Sequence, residues 1–228
     1  MPEELELGCF PKTASDACGM NELVLVIGNK NLSSWSFRPW ILLKQAGIPF
    51  REVSLRLFTP EYASVIAEYS PSGKVPVLKD GNLTIWDSLS IAEYVAEKKP
   101  ELWPKNPDRR AKARSITAEM HSGFTGLRSN LTMNFTGRIS DKQVPPEAQK
   151  DMDRIRNLWE ENLKENGGPF LFGKDFTVAD AFYAPVVSRF ITYKVPLSGP
   201  SAEYVRTISS LAAYKEWEQG AAEEEKRA

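Results

Sequence analysis

Three prolines, Pro100, Pro104 and Pro107, mark the place where the periodicity of this 228-residue chain changes. Before them, short apolar runs of strand length alternate with helical patterns; after them every long segment has helical spacing. That switch predicts an α/β unit followed by an all-α one. The first unit reads as strand Leu23–Gly28, a helix near Phe37–Ala46 closing at Gly47, and strand Phe50–Ser54. A short helix follows around Pro60–Tyr69. Strands Val75–Leu78 and Leu83–Trp86 flank the Asp80-Gly81 turn, and a helix runs from Ser88 to about Lys98. The order is βαβαββα, with one antiparallel hairpin closing an otherwise parallel sheet.

Beyond the prolines, helices are expected over Asp108–Leu131, Pro146–Asn166 and Val178–Thr192. The last is apolar on most of its circumference, which makes it the buried central helix. Thr177 and Asp180 have capping-box spacing ahead of it, a folding feature and not a chemical one. Shorter helices near Ala202–Ser209 and Leu211–Ala222 complete the pattern, and the Glu223–Arg227 charge run reads as a frayed, solvated end. In numbers, 1–22 is an extension, 23–100 the α/β domain, 101–107 a linker and 108–228 the helical domain.

Composition narrows the function classes. A formal net charge of -1 gives no electrostatic case for nucleic acid or an acidic membrane surface. No apolar run approaches the roughly 20 residues of a membrane span, and the acidic start Met1-Pro2-Glu3-Glu4 is not a secretory signal. Both cysteines, Cys9 and Cys18, precede Met20, a position from which an alternative start is expected. A disulfide scaffold and a cysteine nucleophile in the folded body are therefore excluded, and a cytoplasmic setting fits.

Three constellations carry chemistry. Ser33-Ser34-Trp35-Ser36-Phe37-Arg38-Pro39 joins the first strand to the first helix, where free backbone N–H groups favour an anion or thiolate. Pro39 suits the first turn of that helix. In Lys74-Val75-Pro76, a cis Val75–Pro76 bond would turn the Val75 backbone toward an extended peptide ligand; spacing alone favours a proline that merely begins an edge strand. Asp87-Ser88 lies at a strand-to-helix junction suited to the ammonium and carboxylate of an amino-acid end, with Ser88 as a simple N-cap the competing reading. His121, the only histidine, is read as a packed helix residue, because nothing in the sequence supplies an orienting partner for a general base. No zinc-ligand spacing accompanies it.

These features in this order resemble the cytosolic glutathione transferases, from Leu23 to about Ala222. The chain is most similar to the zeta class, the glutathione-dependent maleylacetoacetate isomerases, and their bacterial relatives. The resemblance implies a thioredoxin-like domain before a helical one, glutathione as co-substrate, a small electrophile and no metal. It also implies a homodimer. Ser33 falls on the position credited with thiol activation, with Ser34 the close alternative; Lys74 and the Val75 backbone would hold the peptide, and Asp87 and Ser88 its γ-glutamyl end. Trp35, Met120, Arg128 and Met133 are candidates for the electrophile pocket between the domains. Two positions depart from the zeta pattern: Trp35 replaces a cysteine, and Thr192 stands where an arginine is expected, with Arg189 one turn earlier as its possible substitute. A non-catalytic binding module of the same fold and a glutathione-dependent peroxidase are the alternatives.

Overall fold

The computed structural model describes residues 22–227; the expectations for Cys9, Cys18 and Met20 fall outside them. The first part runs β1 (Leu23–Gly28), α1 (Ser34–Gln45), β2 (Phe50–Leu55), α2 (Tyr62–Ala67), β3 (Val77–Asp80), β4 (Leu83–Trp86) and α3 (Ser88–Lys98). A single 3-10 turn, Pro100–Leu102, leads to α4 (Pro107–Ser122), with Pro107 in its first turn. Then come α5 (Thr125–Asn130), α6 (Pro146–Asn166), α7 (Val178–Thr192), α8 (Gly199–Ser210) and α9 (Ala212–Lys226). Among the described residues no helix is long and apolar enough to cross a membrane.

The sheet order is β2-β1-β3-β4. β1 pairs with β2 in parallel, Leu23 opposite Phe50, and with β3 antiparallel, Leu23 opposite Asp80. The sheet is thus more mixed than the sequence suggested: one pairing is parallel and two are antiparallel. β1 is interior, so Leu25, Val26 and Ile27 are all fully buried and the strand reads as a continuous apolar run. The tight β3–β4 connection uses Gly81 at φ 57, a conformation glycine adopts without a Cβ clash.

α1 starts three residues earlier than expected, because Ser33 caps it. Pro39 consequently lies inside the helix, not in its first turn. The single helix expected over Asp108–Leu131 is two: Gly123 ends α4, and Phe124 takes a left-handed φ of 55 before α5. The Arg128 Nη1 group donates to the carbonyls of His121 and Gly123, each at 3.2 Å, satisfying acceptors exposed by the break. α7 is buried along nearly its whole length, as its composition predicted, and packs on both α1 and α4.

α9 continues to Lys226 through the expected frayed run. Glu224 Oε2 accepts from the Lys30 backbone N–H at 2.7 Å, and Glu225 Oε1 accepts from Asn31 Nδ2 at 2.8 Å. The Trp217 indole also donates to the Lys30 carbonyl at 2.8 Å. α9 therefore grips the loop that connects β1 to α1.

Candidate active site

Each serine of the opening run has a different job. The Ser33 oxygen accepts from the Ser36 backbone N–H at 3.3 Å, the N-cap bond. Its own hydrogen goes to Ser36 Oγ at 2.7 Å, and that oxygen also accepts from Gly28 N at 3.0 Å. Ser36 thus ties the end of β1 to the first turn of α1. Ser34 instead faces the helical part of the chain, where Arg189 Nη2 donates to its hydroxyl oxygen at 3.2 Å. Arg189 is fixed by the carbonyls of Leu131 (2.9 Å) and Pro185 (3.2 Å). Among the described residues the Ser34 hydroxyl hydrogen has no acceptor.

A cleft of about 570 Å³ opens beside this run, lined by Trp35, Ser72, Lys74, Val75, Pro76, Trp86, Asp87 and Ser88. Three separate segments build it: the first turn of α1, the loop entering β3, and the β4–α3 junction. The Val75–Pro76 peptide bond is cis, against the preference drawn from spacing. Asp87, not Ser88, is the N-cap of α3; its Oδ1 accepts from Leu89 N at 2.8 Å and Ser90 N at 3.4 Å. Asp87 adopts φ 72, unusual for a residue with a Cβ. Ser88 is fully buried, and its hydroxyl has no partner within the described residues. A buried hydroxyl left over at the wall of a cleft fits a site that receives a polar ligand group.

Cations surround Trp35. The guanidinium carbons of Arg38 and Arg128 lie 4.2 and 4.6 Å from its ring centre, a cation–π arrangement. Arg38 also lies 4.9 Å from the Phe182 ring. Burial, then the neighbouring Arg189 and Arg128 charges, lower the Arg38 pKa to about 9, with Asp87 opposing. Burial and Arg128 bring Arg189 to about 10. Both remain cationic at neutral pH. Nε and Nη1 of Arg38 have no partner among the described residues. His121 Nε2 lies 3.3 Å from Asp87 Oδ2, and its ring meets Trp35 edge-on at 5.2 Å. Burial lowers the His121 pKa below its ordinary 6.5; Arg38 and Arg128 add to this and Asp87 opposes it.

The structure thus gathers Trp35, Lys74, Val75, Asp87 and Ser88 around one cleft, with Arg128 against the Trp35 ring. Ser33 and Ser34 stand next to it in the chain without lining it. Met120, Met133 and Arg189 are buried and line no part of this cleft; the two methionines belong to the core. Sequence reasoning assigned no role to Arg38 and found no partner for His121. The Arg38 signal was available: it stands three positions after Trp35 and four after Ser34, on one helix face. The His121–Asp87 contact joins two distant segments and had no local signature. Among the described residues no group of three or more His, Cys, Asp or Glu side chains is placed to hold a metal.

The glutathione S-transferase N-terminal domain profile matches residues 32–98, and the C-terminal domain profile of the same family matches 143–221. A maleylacetoacetate isomerase of Rattus norvegicus is 30% identical over 190 residues, covering 80% of this chain and 87% of that protein. A zeta-class glutathione S-transferase of Euphorbia esula is 30% identical over 168 residues, covering 70% and 73%. Among solved structures, a glutathione transferase homolog from Burkholderia with bound glutathione superposes with TM-score 0.67 at 21% identity, over 91% of this chain and 100% of that one. An epsilon-class enzyme from Musca domestica gives 0.70 at 23%, over 89% and 94%. Two matching profiles and relatives of 30% identity spanning most of both chains lead to one conclusion: this chain belongs to the glutathione S-transferase family, on its zeta-like side.

Proposed function

We propose that this protein is a glutathione-dependent transferase of zeta-like type, in which glutathione lies in the Trp35–Ser88 cleft and its sulfur attacks a small electrophile. The observation that carries the reading is the convergence of Lys74, Val75, Asp87 and Ser88 on one cleft beside the N-terminus of α1. Asp87 supplies negative charge for the γ-glutamyl ammonium, and the unpartnered Ser88 hydroxyl suits its carboxylate. Lys74 and the Val75 backbone hold the rest of the peptide.

A free thiol has a pKa near 8.5, so only a few per cent is ionised at neutral pH. The helix N-terminus and the Arg38, Arg128 and Arg189 charges favour the thiolate. Of the two candidate hydroxyls, Ser34 has the uncommitted hydrogen, polarised by Arg189 on its oxygen; Ser33 donates to Ser36. The thiol proton leaves to solvent and the sulfur lone pair forms a C–S bond. In conjugation a leaving group departs with its electron pair, or, on addition to a double bond, the displaced π pair takes a proton from solvent and the adduct is retained. In isomerisation the adduct rotates about the former double bond, then expels the thiolate and restores the double bond. A homodimer in the cytoplasm belongs to the same reading and is supported by the family resemblance.

Turnover of maleylacetone, a chlorinated dinitroaromatic and an organic hydroperoxide, each with glutathione, sorts isomerase, conjugating and peroxidase activities. Ultraviolet titration of bound glutathione should give an ionisation midpoint about one unit or more below that of the free thiol. An unshifted midpoint, or no complex, overturns the proposal and leaves the non-catalytic module.

A further inference from the structure

His121 is the only histidine, stands on α4, and faces the cap of a helix in the other part of the chain. Asp87 divides its carboxylate between two tasks. Oδ1 caps α3 through Leu89 and Ser90, while Oδ2 turns to His121 Nε2 at 3.3 Å. With Asp87 held at φ 72, this second contact falls on the one carboxylate that lines the cleft. The imidazole is itself held, edge-on to Trp35 and 6.1 Å from the Phe182 ring. Its Nδ1 is buried with no partner among the described residues. A hydrogen on Nδ1 would thus have no acceptor among the described residues, which disfavours the cationic ring.

We propose that His121 is a positioning residue for Asp87: neutral, it fixes the carboxylate that receives the ligand's ammonium; protonated, it competes with that ammonium for the same oxygen. The inference rests on the glutathione reading above and adds the regulation of its amino-acid end. The charged groups that act on the ring are Asp87 at the α3 cap, Arg38 on α1 and Arg128 on α5; from α7 the Phe182 ring faces it. Burial disfavours the cationic form, Asp87 favours it, and the two arginines tip the balance further toward the neutral ring. At neutral pH the positioning state therefore dominates, and competition begins only as pH falls below the ordinary histidine range.

The test measures kcat and KM across about pH 5 to 8 for the full chain and for His121→Gln and His121→Phe. Two thiols serve as probes: glutathione, and its analogue lacking the γ-glutamyl amino group. The analogue carries the same thiol, so its profile registers thiolate loss and nothing at the ammonium. Expected for the unmodified chain is a KM for glutathione that rises roughly ten-fold toward the acid end, while the analogue's KM does not. His121→Gln, which keeps an N–H donor and cannot titrate, should hold KM flat. His121→Phe should raise KM for glutathione at neutral pH by roughly three-fold or more, with kcat within about two-fold. An acid rise retained in His121→Gln, or shared by the analogue, overturns the inference, and so does a His121→Phe effect on kcat alone. Failure of the unmodified chain to bind or turn over either thiol instead sinks the glutathione reading itself.

Discussion

Ser33 and Ser34 are neighbours with opposite loyalties. Ser33 spends both its oxygen and its hydrogen on Ser36, within the first turn of α1. Ser34 reaches Arg189, 155 positions away. Ser33→Ala removes an N-cap and should cost about 1 kcal/mol of stability, read as a lowered denaturant midpoint, while the bound thiol keeps its low ionisation midpoint. Ser34→Ala should raise that midpoint measurably toward about 8.5, the helix N-terminus and the arginines keeping part of the shift. The reverse result would return thiol activation to Ser33. The serine run was legible as the place of interest, since a hydroxyl cluster at a helix start is a local pattern. Which serine has a free hydrogen was not, because the answer depends on an arginine of α7. The Asp87–His121 contact was hidden for the same reason.

Among the elements, α7 is the one whose start was read correctly together with its cause. Asp180, fully buried, accepts from Thr177 N (2.9 Å), Thr177 Oγ1 (2.8 Å), Leu171 N (3.0 Å) and the Tyr204 hydroxyl (3.1 Å). Asp180→Ala leaves four buried donors without their acceptor and should cost at least about 3 kcal/mol, measured by urea unfolding. A loss under about 1 kcal/mol would mean that water replaces the carboxylate and that the cap is dispensable. The bounds of α3, α6 and α7 are readable because their apolar stripes and the residues at their starts are local to each segment. The α4–α5 break was missed: Gly123 sits in an otherwise helical pattern, and the carbonyls it frees are satisfied by Arg128 from the next turn. The end of α9 was missed because its charged residues find partners 194 positions away.

For the molecule as a whole, the two parts meet through α1 against α7 and through α9 against the loop before α1. That loop is also held at Asn31, whose Oδ1 accepts from Thr136 N at 3.0 Å and whose carbonyl accepts from Phe135 N at 3.1 Å. Glu224→Ala with Glu225→Ala should loosen it. Amide exchange at Lys30–Ser34 is expected to speed up, and kcat to fall roughly ten-fold through misplacement of the first turn. Unchanged exchange at those amides would show that Trp217 and the 135–136 segment suffice. The change of periodicity at the three prolines coincides with the passage from sheet to bundle, so the gross plan was legible; the grip of the last helix on the first loop was not. That grip bears on how the protein can be handled. Because Arg227 shares a hollow with Asn29 and Lys30, a bulky fluorophore coupled at that position would sit at the doorstep of the serine turn and disturb the property it was added to measure.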